Sequence, residues 1–155
     1  NELMQGQTDD GDYSSYKYPA ERKAVSSFKK ILFMLLGYAG KLAMSKQLDL
    51  KSAQEPVMNM SDIITDIFNA ESVMLRLEKK QASKEEEAMM KVLFYDTASR
   101  IYKNALDATG SLVDESMFAA FISSIKKLSK YPLQNTMHLR RVVADKLIKD
   151  NSYSY

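Results

Sequence analysis

The 155-residue chain contains no cysteine. Disulfides and thiolate metal sites are thereby ruled out, and a reducing compartment, the cytoplasm, is favoured over a secreted location. Glycine and proline are scarce, at five and three residues, which leaves little material for turns and requires few, long elements. Histidine occurs once. A ferritin-like di-iron bundle needs two Glu-x-x-His pairs on facing helices, and Asn135 stands three residues before His138, so that site is excluded. A zinc site would need several carboxylates to converge by coincidence. There is no glycine-rich phosphate loop, because Gly37 and Gly40 fall inside an apolar helical pattern, where close helix packing is their expected role. The longest strongly apolar stretch, residues 31–36, is far shorter than the roughly 20 residues that span a bilayer. A surplus of one charge is lacking too: the formal net charge of +2 is far from that of a dedicated nucleic-acid binder.

What the chain does have is helical periodicity. Residues 1–18 are polar, rich in Asp, Ser, Tyr and Gly, and read as a disordered linker ahead of a helical bundle over 19–155. The start has neither an initiator Met nor an apolar signal core, as expected for a piece of a longer protein. Pro19 suits a first helical turn, and Val25, Phe28, Ile31 or Leu32, Leu35, Tyr38 or Ala39, and Leu42 then recur at three- and four-residue intervals. A second helix is expected from about Ser52–Pro56 to Gln81, with Met60, Ile63, Ile67, Ala70, Met74 and Leu77 as its apolar stripe and a charged opposite face. Ser83 and Glu86 form a capping box that opens a third helix, making an antiparallel hairpin with the second. That third helix is expected to bury Met90, Leu93, Phe94, Ala98, Ile101, Ala105 and Leu106 and to stop at Gly110. A fourth opens near Asp114 and carries Phe118, Phe121, Ile122, Ile125 and Leu128 until Tyr131 and Pro132. A fifth runs from Asn135 or Thr136 to Asp150 with Leu139, Val142 or Val143, and Leu147 inward. The predicted fold is all-α, an antiparallel bundle of about five helices, three of them long.

Candidate chemistry is sparse. His138, in the run TMHLRR, invites comparison with a phosphoacceptor helix, but Leu139 and Arg140 follow it where an orienting acid would be needed. Glu85, Glu86 and Glu87 point about 100° apart on a helix and cannot converge on one ion; they suit a helix N-terminus. The ten methionines fit core packing better than a pliable groove. Asp66 is expected to pair with Arg100 across the hairpin, and Glu71 to join Arg76 or a backbone group. No catalytic, cofactor-binding or metal-binding residue is assigned. Basic charge gathers at the C-terminal end, with seven basic against four acidic residues over 111–155. Lys126, Lys127, Lys130, Arg140, Arg141, Lys146 and Lys149 make up this set, which could attract anionic lipid or simply form a solvated face.

Four runs in order, AERKAVSSFKKILFMLLGYAGKLAM, VMNMSDIITDIFNAESVMLRLEKK, LFYDTASRIYKNA and RRVVADKLIKDNSYSY, resemble the C-terminal extension of very-long-chain-type acyl-CoA dehydrogenases, especially the bacterial forms. The resemblance covers roughly residues 20–155. Its most specific parts are Asp66, Ala70, Glu71 and Arg76 on one arm of the hairpin, Asp96 and Arg100 on the other, and the closing ADKLIKDN. It implies a parent flavoprotein of fatty-acid β-oxidation, in which a glutamate removes the α-proton of an acyl-CoA while a hydride passes to FAD. Those catalytic domains precede the extension, so no catalytic residue is transferred to this chain. The resemblance further implies an accessory role. Its partners would be the catalytic core of the same polypeptide, a second subunit in a homodimer and, at the periphery, a membrane, with no nucleic acid.

The expected function is therefore non-catalytic assembly and placement, with a leftover apolar patch on the first or last helix marking the docking surface. The alternative is an autonomous helical interaction or signalling module. Burial of His138, or its capture by backbone, would exclude phosphotransfer.

Overall fold

A computed structural model describes residues 10–49 and 51–152. Five α-helices account for most of them: α1 Pro19–Met44, α2 Gln54–Glu78, α3 Lys84–Leu112, α4 Phe118–Leu128 and α5 Thr136–Asp150. No strand occurs among the described residues. The all-α bundle with three long helices is as the periodicity requires.

Local chemistry marks the starts of four of the helices. Pro19 sits in the first turn of α1, where its missing N–H costs nothing. The capping box of α3 is complete: the Glu86 amide donates to Ser83 Oγ at 3.2 Å, and the Ser83 amide donates to Glu86 Oε2 at 2.9 Å. A 3-10 turn, Glu115–Met117, leads into α4, with the Asp114 carboxylate accepting from the Ser116 amide at 2.9 Å. For α5, Asn135 Oδ1 accepts the His138 amide at 3.1 Å, and Asn151, in the left-handed region at φ 46°, closes the helix.

The α2 and α3 arms form the expected antiparallel hairpin, α1 lies against both, and α4 closes the gap between α1 and α3. Phe28, Ile31, Leu35, Ile63, Met74, Met90, Phe94, Ile101, Phe121 and Ile125 fill the interior. Two aromatic contacts seal its ends: Tyr38 meets Phe121 edge-on at 5.4 Å, and Phe94 meets Tyr131 at 5.7 Å.

Several expectations need correction. Helix α2 ends at Glu78 rather than near Gln81. Helix α3 runs through Gly110 to Leu112, because Ala108, Thr109, Leu112 and Val113 are buried and extend the apolar face past the glycine. Gly40 does not mediate close packing; a Cβ there would meet nothing within 4 Å. Leu139, Val142, Val143 and Leu147 are only half-buried, because α5 packs chiefly along α3 and no residue of it is fully enclosed.

Of the stretch expected to be a linker, residues 1–9 lie outside the described residues. The described remainder includes a buried Tyr18, whose hydroxyl donates to Glu87 at 3.0 Å. Lys17 Nζ donates to the Leu77 and Lys80 carbonyls at 3.1 and 2.8 Å, capping the C-terminal end of α2.

Candidate docking face

The hairpin places Asp66 and Arg100 together, as expected. Arg100 Nε donates to both carboxylate oxygens at 3.1 Å and Nη2 to Oδ1 at 2.8 Å, while Thr97 Oγ1 takes a further Nη2 bond at 3.1 Å. The hydrogen bonds to Asp66 raise the Arg100 pKa. This bidentate pair ties α3 to α2, with the Asp66 carboxylate largely covered and the Arg100 side chain half exposed. Glu71 does not meet Arg76. It accepts from Lys29 Nζ at 2.7 Å and so ties α2 to α1. Asp96 receives Arg140 at 3.2 Å, joining α3 to α5.

His138 is exposed, and the structure gives its ring no carboxylate partner among the described residues. Its amide serves the Asn135 cap. The glutamates at 85–87 occupy the first turn of α3, where Glu86 is held below its ordinary pKa by Lys80 and by the Ser83 amide. Among the described residues no group of His, Asp or Glu is arranged to hold a metal ion. Of the C-terminal basic set, Arg140 and Lys146 are engaged by Asp96 and Asp150, while Lys126, Lys127, Lys130, Arg141 and Lys149 are exposed. No helix among the described residues is long and apolar enough to cross a membrane.

The feature that packing leaves unexplained lies on the outer side of the α1/α2 pair. Near the start of α1 the two helices are clamped by ion pairs, with Arg22 Nε on Glu78 at 3.0 Å and Lys29 on Glu71. Beyond that clamp the exposed surface turns apolar. Phe33 is 65% exposed and Phe68 68%, with Leu36, Val57, Ile64 and Met44 also exposed along the same two helices. A groove of about 290 Å³ runs between the helices, lined by Leu36, Gly40, Ala43, Val57, Ser61 and Ile64. The glycine that fails to bring helices together instead keeps this groove open. Scattered exposed apolar residues are ordinary; a contiguous set on one face is not. Each large side chain here is worth about 1.5–3 kcal/mol on full burial, so the face carries a standing drive toward association.

The expected patch on the first helix is thus present, but it extends onto α2, whose outer side was expected to be charged. Ile64 and Phe68 interrupt that polar side. The sequence signal was available: α1 carries Phe33 and Leu36 in addition to a complete inward stripe, and one helix cannot bury apolar residues all round unless it is enclosed. Of the last helix, Met137 and Ile148 are exposed, but separated by three turns.

Comparison with known proteins gives two findings of likeness. A family model described as acyl-CoA dehydrogenase, C-terminal domain, matches residues 27–127. A probable acyl-CoA dehydrogenase of Bacillus subtilis (strain 168) is 25% identical over 140 residues, which are 86% of this chain and 23% of that protein. The chain therefore spans less than a quarter of the length of that relative. No solved structure matches.

Proposed function

Because this chain belongs to the family of acyl-CoA dehydrogenase C-terminal domains, we propose that it is the non-catalytic assembly domain of an FAD-dependent acyl-CoA dehydrogenase of fatty-acid β-oxidation in the cytoplasm. Its helical bundle, residues 19–155, attaches to the catalytic core and joins subunits into a homodimer. The observation that carries this reading is the exposed apolar face of α1 and α2, beside which the charged groups between helices are paired within the bundle. Phe33 and Phe68 stand in water while Asp66, Arg100, Glu71 and Lys29 are paired.

The described residues do not fit a flavin. The interior is filled by side chains such as Phe28, Phe94 and Phe121, and the glycines at 37, 40 and 110 lie within helices rather than in a loop that could cradle phosphates. No step of the oxidation is assigned to this chain; FAD and the acyl-CoA belong to the catalytic domains. Peripheral membrane contact through Lys126, Lys127, Lys130, Arg141 and Lys149 is a subsidiary part of the reading. It would be removed by failure to sediment with anionic vesicles at low salt.

The test is to compare the longer polypeptide with a version lacking residues 20–155, following flavin absorbance, acyl-CoA oxidation and oligomeric mass. The reading expects the shortened protein to keep its flavin while its assembly weakens. Unchanged assembly, localisation and activity would favour an autonomous interaction module instead.

A further inference from the structure

We infer that α5 is a releasable arm, which leaves α3 as a unit about a hinge at residues 132–135 while α1 to α4 stay closed. Burial separates it from the rest of the bundle. The 11-residue α4 encloses Phe121, Ile125 and Leu128, whereas the 15-residue α5 encloses no side chain among the described residues, so shortness is not the reason. Its apolar side, Leu139, Val142, Val143 and Leu147, is half-buried and rests chiefly on α3. The ion pair that joins it to α3, Arg140 to Asp96 at 3.2 Å, has side chains 60% and 42% exposed. A pair so open to water holds little. Lys146 spends its closest contact, 2.7 Å, on Asp150 of α5 itself.

The contact with α3 is also parted at both ends. A groove of about 490 Å³ separates the start of α3 from the second half of α5, between Ser83, Lys84 and Glu85 on one side and Val142, Lys149 and Asp150 on the other. A second, of about 220 Å³, lies where the chain approaches α5, between Tyr95, Ser99 and Tyr102 of α3 and Ser129 and Lys130. Segments with few enclosed apolar contacts open at free energies well below that of the whole fold. What confines the opening is Tyr131. Its ring lies on Phe94 at 5.7 Å and its hydroxyl on the buried Glu21 at 2.7 Å, and Leu128, three residues earlier, is enclosed. Residues 132–135, outside any helix, then lead to α5, and Leu133 among them is 86% exposed. Separation of α5 therefore stops at Tyr131 and leaves Phe94 covered. Once off α3, a 15-residue helix is marginal in water, so release and melting of the arm coincide.

The test is hydrogen exchange of the 155-residue chain followed by mass spectrometry, comparing residues 136–150 with 90–105. The expected result is exchange in α5 at least about 100-fold faster than in α3, yet slower than in an unprotected chain. Urea below the unfolding transition should accelerate α3 and barely affect α5, because local release exposes little surface. Leu139→Asp should speed exchange of α5 at least about tenfold and leave α3 unchanged. An acid near the helix N-terminus suits the helix itself, so that acceleration reads loss of docking rather than of helix propensity. Arg140→Gln should act in the same direction, by up to about fivefold. Exchange of α5 at the rate of α3 and rising with urea in step with it, acceleration of both helices alike by Leu139→Asp, or an α5 without any protection would overturn the inference.

Discussion

Among the described residues, Glu21 is the one charged side chain that is buried, 5% exposed in the first turn of α1. Its carboxylate accepts the Tyr131 hydroxyl at 2.7 Å. Tyr131 lies on the segment that joins α4 to α5, 110 residues away, with its ring on Phe94. Burial and the neighbouring carboxylate both push the Tyr131 phenol pKa up, so its proton stays available to Glu21 across the accessible pH range. Tyr131→Phe keeps the ring and removes only the donor. The expected loss is about 1–3 kcal/mol, the penalty of an enclosed acceptor without its partner. It should be read as a lower urea midpoint at unchanged slope. A loss well under that range would mean that water reaches Glu21 once the hydroxyl is gone.

Among the elements, α3 is the spine, touching every other helix, and its start is set by Ser83 and Glu86. Lys80, the Ser83 amide and the helix N-terminus favour the Glu86 carboxylate over its acid. Its folded pKa is therefore lowered from 4.5. The stabilisation is complete above the unfolded value and disappears as pH falls through the folded one. The melting temperature should accordingly drop between about pH 5 and pH 3, and drop less in Glu86→Gln, which lacks the carboxylate. Equal slopes in the two proteins would place the acid sensitivity elsewhere. This cap was readable from sequence because Ser-x-x-Glu ahead of an apolar run is a local signal. So were the inward stripes of α1, α2 and α3, where two or more neighbours enclose each helix, apart from Leu42, Leu93 and Leu106, which are only half-buried. The boundary at Gly110 misled because burial of Ala108, Leu112 and Val113 outweighs the glycine's modest preference for ending a helix. The inner face of α5 misled for a different reason: periodicity reports an apolar stripe, not how many neighbours cover it, and α5 has chiefly one. Likewise the Asp66–Arg100 pair followed from the hairpin, whereas Lys29–Glu71 depended on where α1 lies, which no spacing in the sequence fixes.

At the scale of the whole molecule, the proposed homodimer would couple stability to association wherever it covers the unburied face of α1 and α2. A monomer that leaves Phe33 and Phe68 in water gains stability whenever a second copy covers them, by mass action rather than by any change within the bundle. The midpoint of thermal unfolding should then rise with protein concentration. Each tenfold increase through the associating range adds up to about 1.4 kcal/mol per dimer, because that is the free energy of a tenfold change in concentration. In Phe68→Glu the midpoint should be independent of concentration and should match the dilute limit of the parent chain. The two melts together separate the face from the core. Removing a side chain that the bundle itself encloses, as in Phe94→Ala, lowers stability by about 3–5 kcal/mol at every concentration. Phe68→Glu instead removes only the part that depends on having a partner, so a concentration-independent midpoint in the parent chain would show that no second copy covers the face.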